Sequence, residues 1–127
     1  MAIRIVRLGT PRAADEGLRI GTVRRPPRGV PKTEYASRDL YDTWLPELAP
    51  SDSLVKEALA ADDEAKWRRF ARRYRAEMKT PAARHLLAAL SHKSHISVGC
   101  YCEREDRCHR SVLRELLADH GADIASS

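Results

Sequence analysis

The sequence has no long apolar run. Its longest uncharged apolar stretch falls far short of the ~20 residues that a membrane helix requires, so a helical span is excluded. Nor is a secretory leader legible: Met1-Ala-Ile-Arg-Ile-Val-Arg7 interrupts its apolar residues with arginine every third position, and the chain reads as cytoplasmic. Cysteine is scarce and odd in number. Three cysteines cannot close a disulfide framework, and in a reducing compartment each is by default a thiol or a metal ligand. There is no internal repeat and no low-complexity tract.

What is there is an ordinary globular composition, 43% hydrophobic and 32% charged over 127 residues. A chain of this size buries roughly two-thirds of its unfolded surface, enough for one domain over 1–127 with no covalent staple. The formal charge is +5, and its distribution matters more than its sum. Residues 1–38 hold nine Arg and Lys against three acids, so nine minus three gives +6, more than the whole chain carries. That basic third keeps a nucleic-acid partner open as an alternative.

Periodicity predicts a strand over Ala2–Leu8 and a second over Leu18–Arg24, the latter cut off by Arg24-Arg-Pro-Pro-Arg-Gly29. Prolines stiffen that loop and lower the entropy lost when Arg24, Arg25 or Arg28 grips a ligand. Leu40, Tyr41, Trp44, Leu45 and Leu48 fall at helical spacing and predict a short helix. Ser51 or Asp52 caps the next, over Ser53–Ala61. Asp62–Lys79 has the clearest helical pattern, with Trp67, Phe70, Ala71, Tyr74 and Met78 on one stripe. Thr80-Pro81 reads as the start of another helix, running to about His92. His85, His92, His95 and His120 read as surface or helix-end residues, and Ala122–Ile124 as a candidate last edge strand before the tail.

The rest of the chain is organised around His95–Arg110, which holds all three cysteines. Ile96, Val98 and Cys100 alternate as a short strand, Glu103–Arg107 is a polar loop, and Val112, Leu113, Leu116 and Leu117 open a helix that His120-Gly121 ends. A strand feeding a helix leaves free N–H groups at the loop mouth, and Arg107 and Arg110 add full charges there, a combination that favours an anion.

Val23-Arg-Arg-Pro-Pro-Arg-Gly29, Trp44-Leu-Pro-Glu-Leu-Ala-Pro-Ser51, the Trp67, Phe70 and Tyr74 helix, and Cys108-His-Arg110 before a leucine-rich helix span most of the chain. In combination they resemble the family called domain of unknown function 488, including its YeaO-like branch. The resemblance implies a compact α/β fold with a mainly parallel sheet, and an arginine loop and a Cys-His-Arg loop on one rim. It supplies no activity. The family pattern commonly has an acidic residue shortly before the first loop arginine and a tryptophan before Pro-Arg-Gly. Here Thr22 and Val23 stand near the first place and Pro26 in the second.

Three chemistries compete at the cysteine loop. Zinc finds four donors in Cys100, Cys102, Cys108 and His109, but C-x-C-x5-C-H departs from the usual paired hooks, and the spacing predicts no metal and no other cofactor. A thiol nucleophile at Cys108 would profit from the helix dipole, yet the C-x5-R spacing of thiol phosphatases is missed both ways. The reading that remains is a phosphate-like site formed by Arg24, Arg28, Cys108, His109 and Arg110, with Glu103 or His109 available for proton transfer. Arg110 in a first helical turn calls for something negative nearby, either a ligand or Glu103 or Glu105. The sequence thus predicts an α/β, Rossmann-like single domain of mainly parallel sheet flanked by helices, binding a phosphorylated small molecule or nucleotide. The alternatives are a nucleic-acid-associated module and an accessory protein without chemistry.

Overall fold

The computed structural model describes residues 1–125. Four strands, β1 (Ile3–Arg7), β2 (Leu18–Gly21), β3 (Thr43–Trp44) and β4 (Ile96–Cys100), form one all-parallel sheet in the order β1-β4-β2-β3. Four helices accompany it: α1 (Asp52–Ala60), α2 (Glu64–Glu77), α3 (Ala83–Leu90) and α4 (His109–Asp119). The fold is α/β, and among the described residues no helix is long and apolar enough to cross a membrane.

β4 is an inner strand between β1 and β2 and is buried along its whole length. Ile5 and Ile20 both stand opposite Val98, and Ile3 opposite Ile96. All four helices pack onto this apolar face: Leu54, Trp67, Phe70, Tyr74, Leu87 and Leu113 share one cluster with Ile3, Ile20, Ile96 and Val98. Gly99 shows why the central strand needs a glycine, because a Cβ there would sit 2.8 Å from the Val6 carbonyl oxygen and 2.7 Å from Leu8.

Away from that cluster the sheet is locked by charge. Arg19, register partner of Ser97, is fully buried and forms a bidentate pair with Glu16 at 2.7 and 2.8 Å. Its remaining nitrogen donates to the carbonyls of Thr10 (2.8 Å) and Asp39 (2.6 Å), while Ser97 donates to Glu16 at 2.9 Å. This network ties the segment between β1 and β2 to the turn before β3.

Several boundaries differ from expectation. The helix predicted from Leu40 is instead the two-residue strand β3 followed by a 3-10 turn, Pro46–Leu48. Its apolar spacing serves two separate packings: Tyr41 lies against Gly21 beside the second strand, and Leu48 enters the helix-side core. Pro46 opens the 3-10 turn. α3 begins at Ala83 without a side-chain cap, since the Thr80 hydroxyl donates to the Glu77 carbonyl of the preceding helix. α2 follows the expected stripe, with Asp63 as its cap. Ile124 contributes a single parallel bridge to Ile3 rather than a full strand, and the tail beyond 125 lies outside the described residues.

Candidate functional site

A parallel sheet brings the carboxyl ends of its strands to one edge, where open α/β sheets hold their ligands. Cys100 ends β4 there, Thr22 and Val23 follow β2, and Cys108 leads into α4 after the 3-10 turn Glu105–Arg107. The loop between Cys100 and Cys108 is held from outside. Arg114 makes a bidentate pair with Glu105 (2.7 and 2.8 Å), Arg104 pairs with Asp106, and Arg107 reaches Glu64 of α2 at 2.6 Å.

That loop folds the three sulfurs together. The Cys100 and Cys102 sulfurs are 3.6 Å apart, and all three Sγ atoms lie within 4.8 Å of one another. Cys100 and Cys108 are buried, and Cys102 is exposed. The Cys102 thiol is held well below its ordinary value, by hydrogen bonds from Cys100 first and Cys108 second, then by the Arg110 guanidinium, all against burial. Cys100 is pushed up by the same hydrogen bonds, with Cys102 and then Cys108, and by burial. The Cys100 thiol acts to lower Cys108, but the hydrogen bond to Cys102 and burial outweigh it and leave Cys108 raised. The cluster therefore concentrates its negative charge on the exposed sulfur.

His109 is 5% exposed, and its Nε2 lies 2.7 Å from the Thr22 carbonyl oxygen. A carbonyl only accepts, so Nε2 carries the proton and Nδ1 presents a lone pair to the Cys108 sulfur at 3.7 Å. Burial lowers the imidazole to about 4, against the Thr22 hydrogen bond, so the ring is neutral at pH 7. The edge-to-face contact with Tyr74, at 5.5 Å, fixes its plane.

A cavity of about 330 Å³ opens over the sulfurs. Val23, Pro26, Val55, Leu59 and Phe70 make most of it apolar, and Arg24, Arg25 and Arg107 stand in its wall. Arg25 pairs with Asp52 and Arg107 with Glu64, whereas among the described residues Arg24 donates only to the carbonyls of Pro50 (2.9 Å) and Ala49 (3.1 Å).

The residues expected from the sequence are thus brought together in part. Arg24, Cys108 and His109 line the cavity. Arg110 is 3% exposed and donates to the Cys102 carbonyl at 2.6 Å, while its Nε has no hydrogen-bond partner among the described residues. Neither Glu103 nor Glu105 pairs with it, Glu105 being taken by Arg114. Arg28 and Glu103 are exposed and are not among the cavity-lining residues. Cys100, Cys102 and Thr22 join the site unexpectedly. Cys-x-Cys at a strand end was the available signal for the first two, since alternate strand residues share a face. Among the histidines read as surface residues, His92 meets Asp123 at 2.8 Å, and the rings of His85 and His120 lie 4.3 Å apart.

A family model described as the active DUF488-N3 subclade matches residues 3–121. This chain belongs to the DUF488 family. No curated protein and no solved structure matches it. In this DUF488 protein the proline–arginine loop and the Cys-His-Arg corner do share one rim, with the cavity between them.

Proposed function

We propose that this DUF488 protein binds a small molecule with an apolar or aromatic body and a phosphate-like group, a nucleotide being the type. The observation that carries the reading is Arg24. It is a cavity-wall cation whose hydrogen bonds go only to neutral carbonyls, with no carboxylate in ion-pair range among the described residues. An anion reaching it would meet an uncompensated charge beside low-dielectric walls, where attraction is least screened. Cys108 and His109 line the same cavity, Arg110 follows them in the first turn of α4, and the exposed Cys102 stands in the cavity wall. Arg28 and Glu103 would contribute only if their exposed loops closed over a ligand.

The wider basic third offers a nucleic acid less than its +6 suggests. Arg4, Arg12, Arg19, Arg25 and Arg38 each pair with a carboxylate. The test is thermal unfolding of EDTA-treated protein with inorganic phosphate or a mononucleotide at rising concentration. Ligand at about 100 times Kd should add about 2.7 kcal/mol. Arg24→Gln should abolish that gain. No shift with either compound, or an equal shift in the variant, would sink the proposal. A salt-sensitive complex with duplex DNA alone would favour the nucleic-acid alternative.

A further inference from the structure

We propose that Cys100, Cys102 and Cys108 form a three-thiolate site for a thiophilic divalent ion, Zn(II) being the type, with a fourth coordination position open to the cavity they line. The inference stands on the sulfur geometry and on Arg110, not on the ligand reading above.

A tetrahedral ion with Zn–S bonds of about 2.3 Å spaces its sulfurs about 3.8 Å apart. The Cys100 and Cys102 sulfurs are already 3.6 Å apart, and the third keeps within 4.8 Å of both. The cluster needs only small rotations to close on an ion. The C-x-C-x5-C-H spacing departs from paired hooks, and adjacent Cys108 and His109 could not easily both reach one tetrahedral ion. The fold removes the competition. His109 stays outside the sulfur trio, its Nε2–H on the Thr22 carbonyl and its Nδ1 on Cys108. Its Nδ1 lone pair accepts from the Cys108 thiol in the metal-free protein, and that proton leaves when Cys108 ligates as a thiolate. The cavity lies over all three sulfurs, which is the arrangement of a metal site with room for an exogenous ligand.

Arg110 supplies the second observation. A guanidinium that is 3% exposed, with Nε unpartnered and no carboxylate in ion-pair range among the described residues, is a costly thing to bury. Three thiolates and a divalent ion sum to one negative charge, and Arg110 cancels it. A monovalent ion would leave two negative charges against the one arginine, so the balance favours the divalent class. Soft sulfur donors select for zinc over magnesium or calcium.

The experiment uses the full chain, stripped with EDTA under a phosphine reductant and titrated with Co(II). One equivalent should bind with sulfur-to-cobalt charge-transfer absorption in the near ultraviolet, and Zn(II) should displace it. Cys102→Ser, at the exposed position, should lose most of that absorption, and Arg110→Gln should weaken binding by about 10–100-fold. Thiol alkylation of the unmodified sequence is the parallel measurement, with all three cysteines protected by Zn(II). Co(II) binding without charge transfer, or alkylation indifferent to Zn(II), would overturn the proposal. The phosphate and nucleotide shifts are measured on metal-free protein, so either reading can fail while the other stands.

Discussion

Arg19 and Arg110 are both buried arginines at the sheet, yet their surroundings are opposite. Arg19 has a bidentate carboxylate and two carbonyls, and its partner Glu16 has a further hydroxyl from Ser97. Arg110 has one carbonyl and an idle Nε. A buried charge with every donor used is a structural element, and removing one partner exposes the full desolvation cost of the other. A buried charge left half-satisfied calls for an explanation, and the proposed ion would supply one. The comparison separates two arginines that no sequence pattern distinguishes.

The largest effect is expected on the saturated side. Glu16→Ala should cost about 3–5 kcal/mol in urea unfolding, because Arg19 stays buried and loses its counter-charge. The same pair sets a pH dependence. Burial alone would raise the Glu16 carboxyl, but hydrogen bonds from Arg19 and Ser97 outweigh it and hold the group below its ordinary value. Its contribution is therefore complete above the unfolded carboxylate value of about 4.3 and is lost as pH falls through the lower folded value. Stability should decline less steeply below pH ~4 in Glu16→Gln than in the parent.

A smaller loss is expected on the other side. In metal-free protein Arg110→Gln removes one charged hydrogen bond, worth about 1.5–3 kcal/mol at most. A loss as large as that of Glu16→Ala would erase the distinction between the two arginines. The finest test uses hydroxyls. Tyr74 donates to the Leu48 carbonyl at 2.6 Å, whereas the buried hydroxyls of Tyr41 and Tyr101 have no partner among the described residues. Tyr74→Phe should cost about 1 kcal/mol, and Tyr41→Phe and Tyr101→Phe should be neutral or slightly stabilising. Equal losses at all three, read from chemical denaturation, would mean that apparent satisfaction does not track stability here.

Much of the architecture was legible. β1, β2, β4, α1, α2 and α4 follow from periodicity and capping residues, and the DUF488 motifs sit where a parallel sheet gathers its strand ends. The helix expected from Leu40 failed because two different packings happened to share a helical spacing. Nothing in the sequence marks Arg19 as buried, since its partners Thr10, Asp39 and Glu16 are joined to it only by the folded loops. The sulfur cluster is hidden from the sequence for a related reason. C-x-C-x5-C-H fits no familiar ligand spacing along the chain, and only the turn at Glu105–Arg107 returns Cys108 to the other two. The Thr22 contact that orients His109 spans 87 residues and leaves no local trace.

The position of β4 also governs when the molecule can come into being. The last strand in the chain is the one that joins β1 to β2, and β1 has no strand partner among the described residues except β4 and the bridge at Ile124. A nascent chain stopped before residue 95 therefore holds β1 and the β2–β3 pair with no strand to join them, and closing that gap carries the entropy of a long loop. Because Cys100 ends that strand and Cys102 and Cys108 lie in the loop after it, the sulfur cluster is assembled no earlier than the late event that completes the sheet.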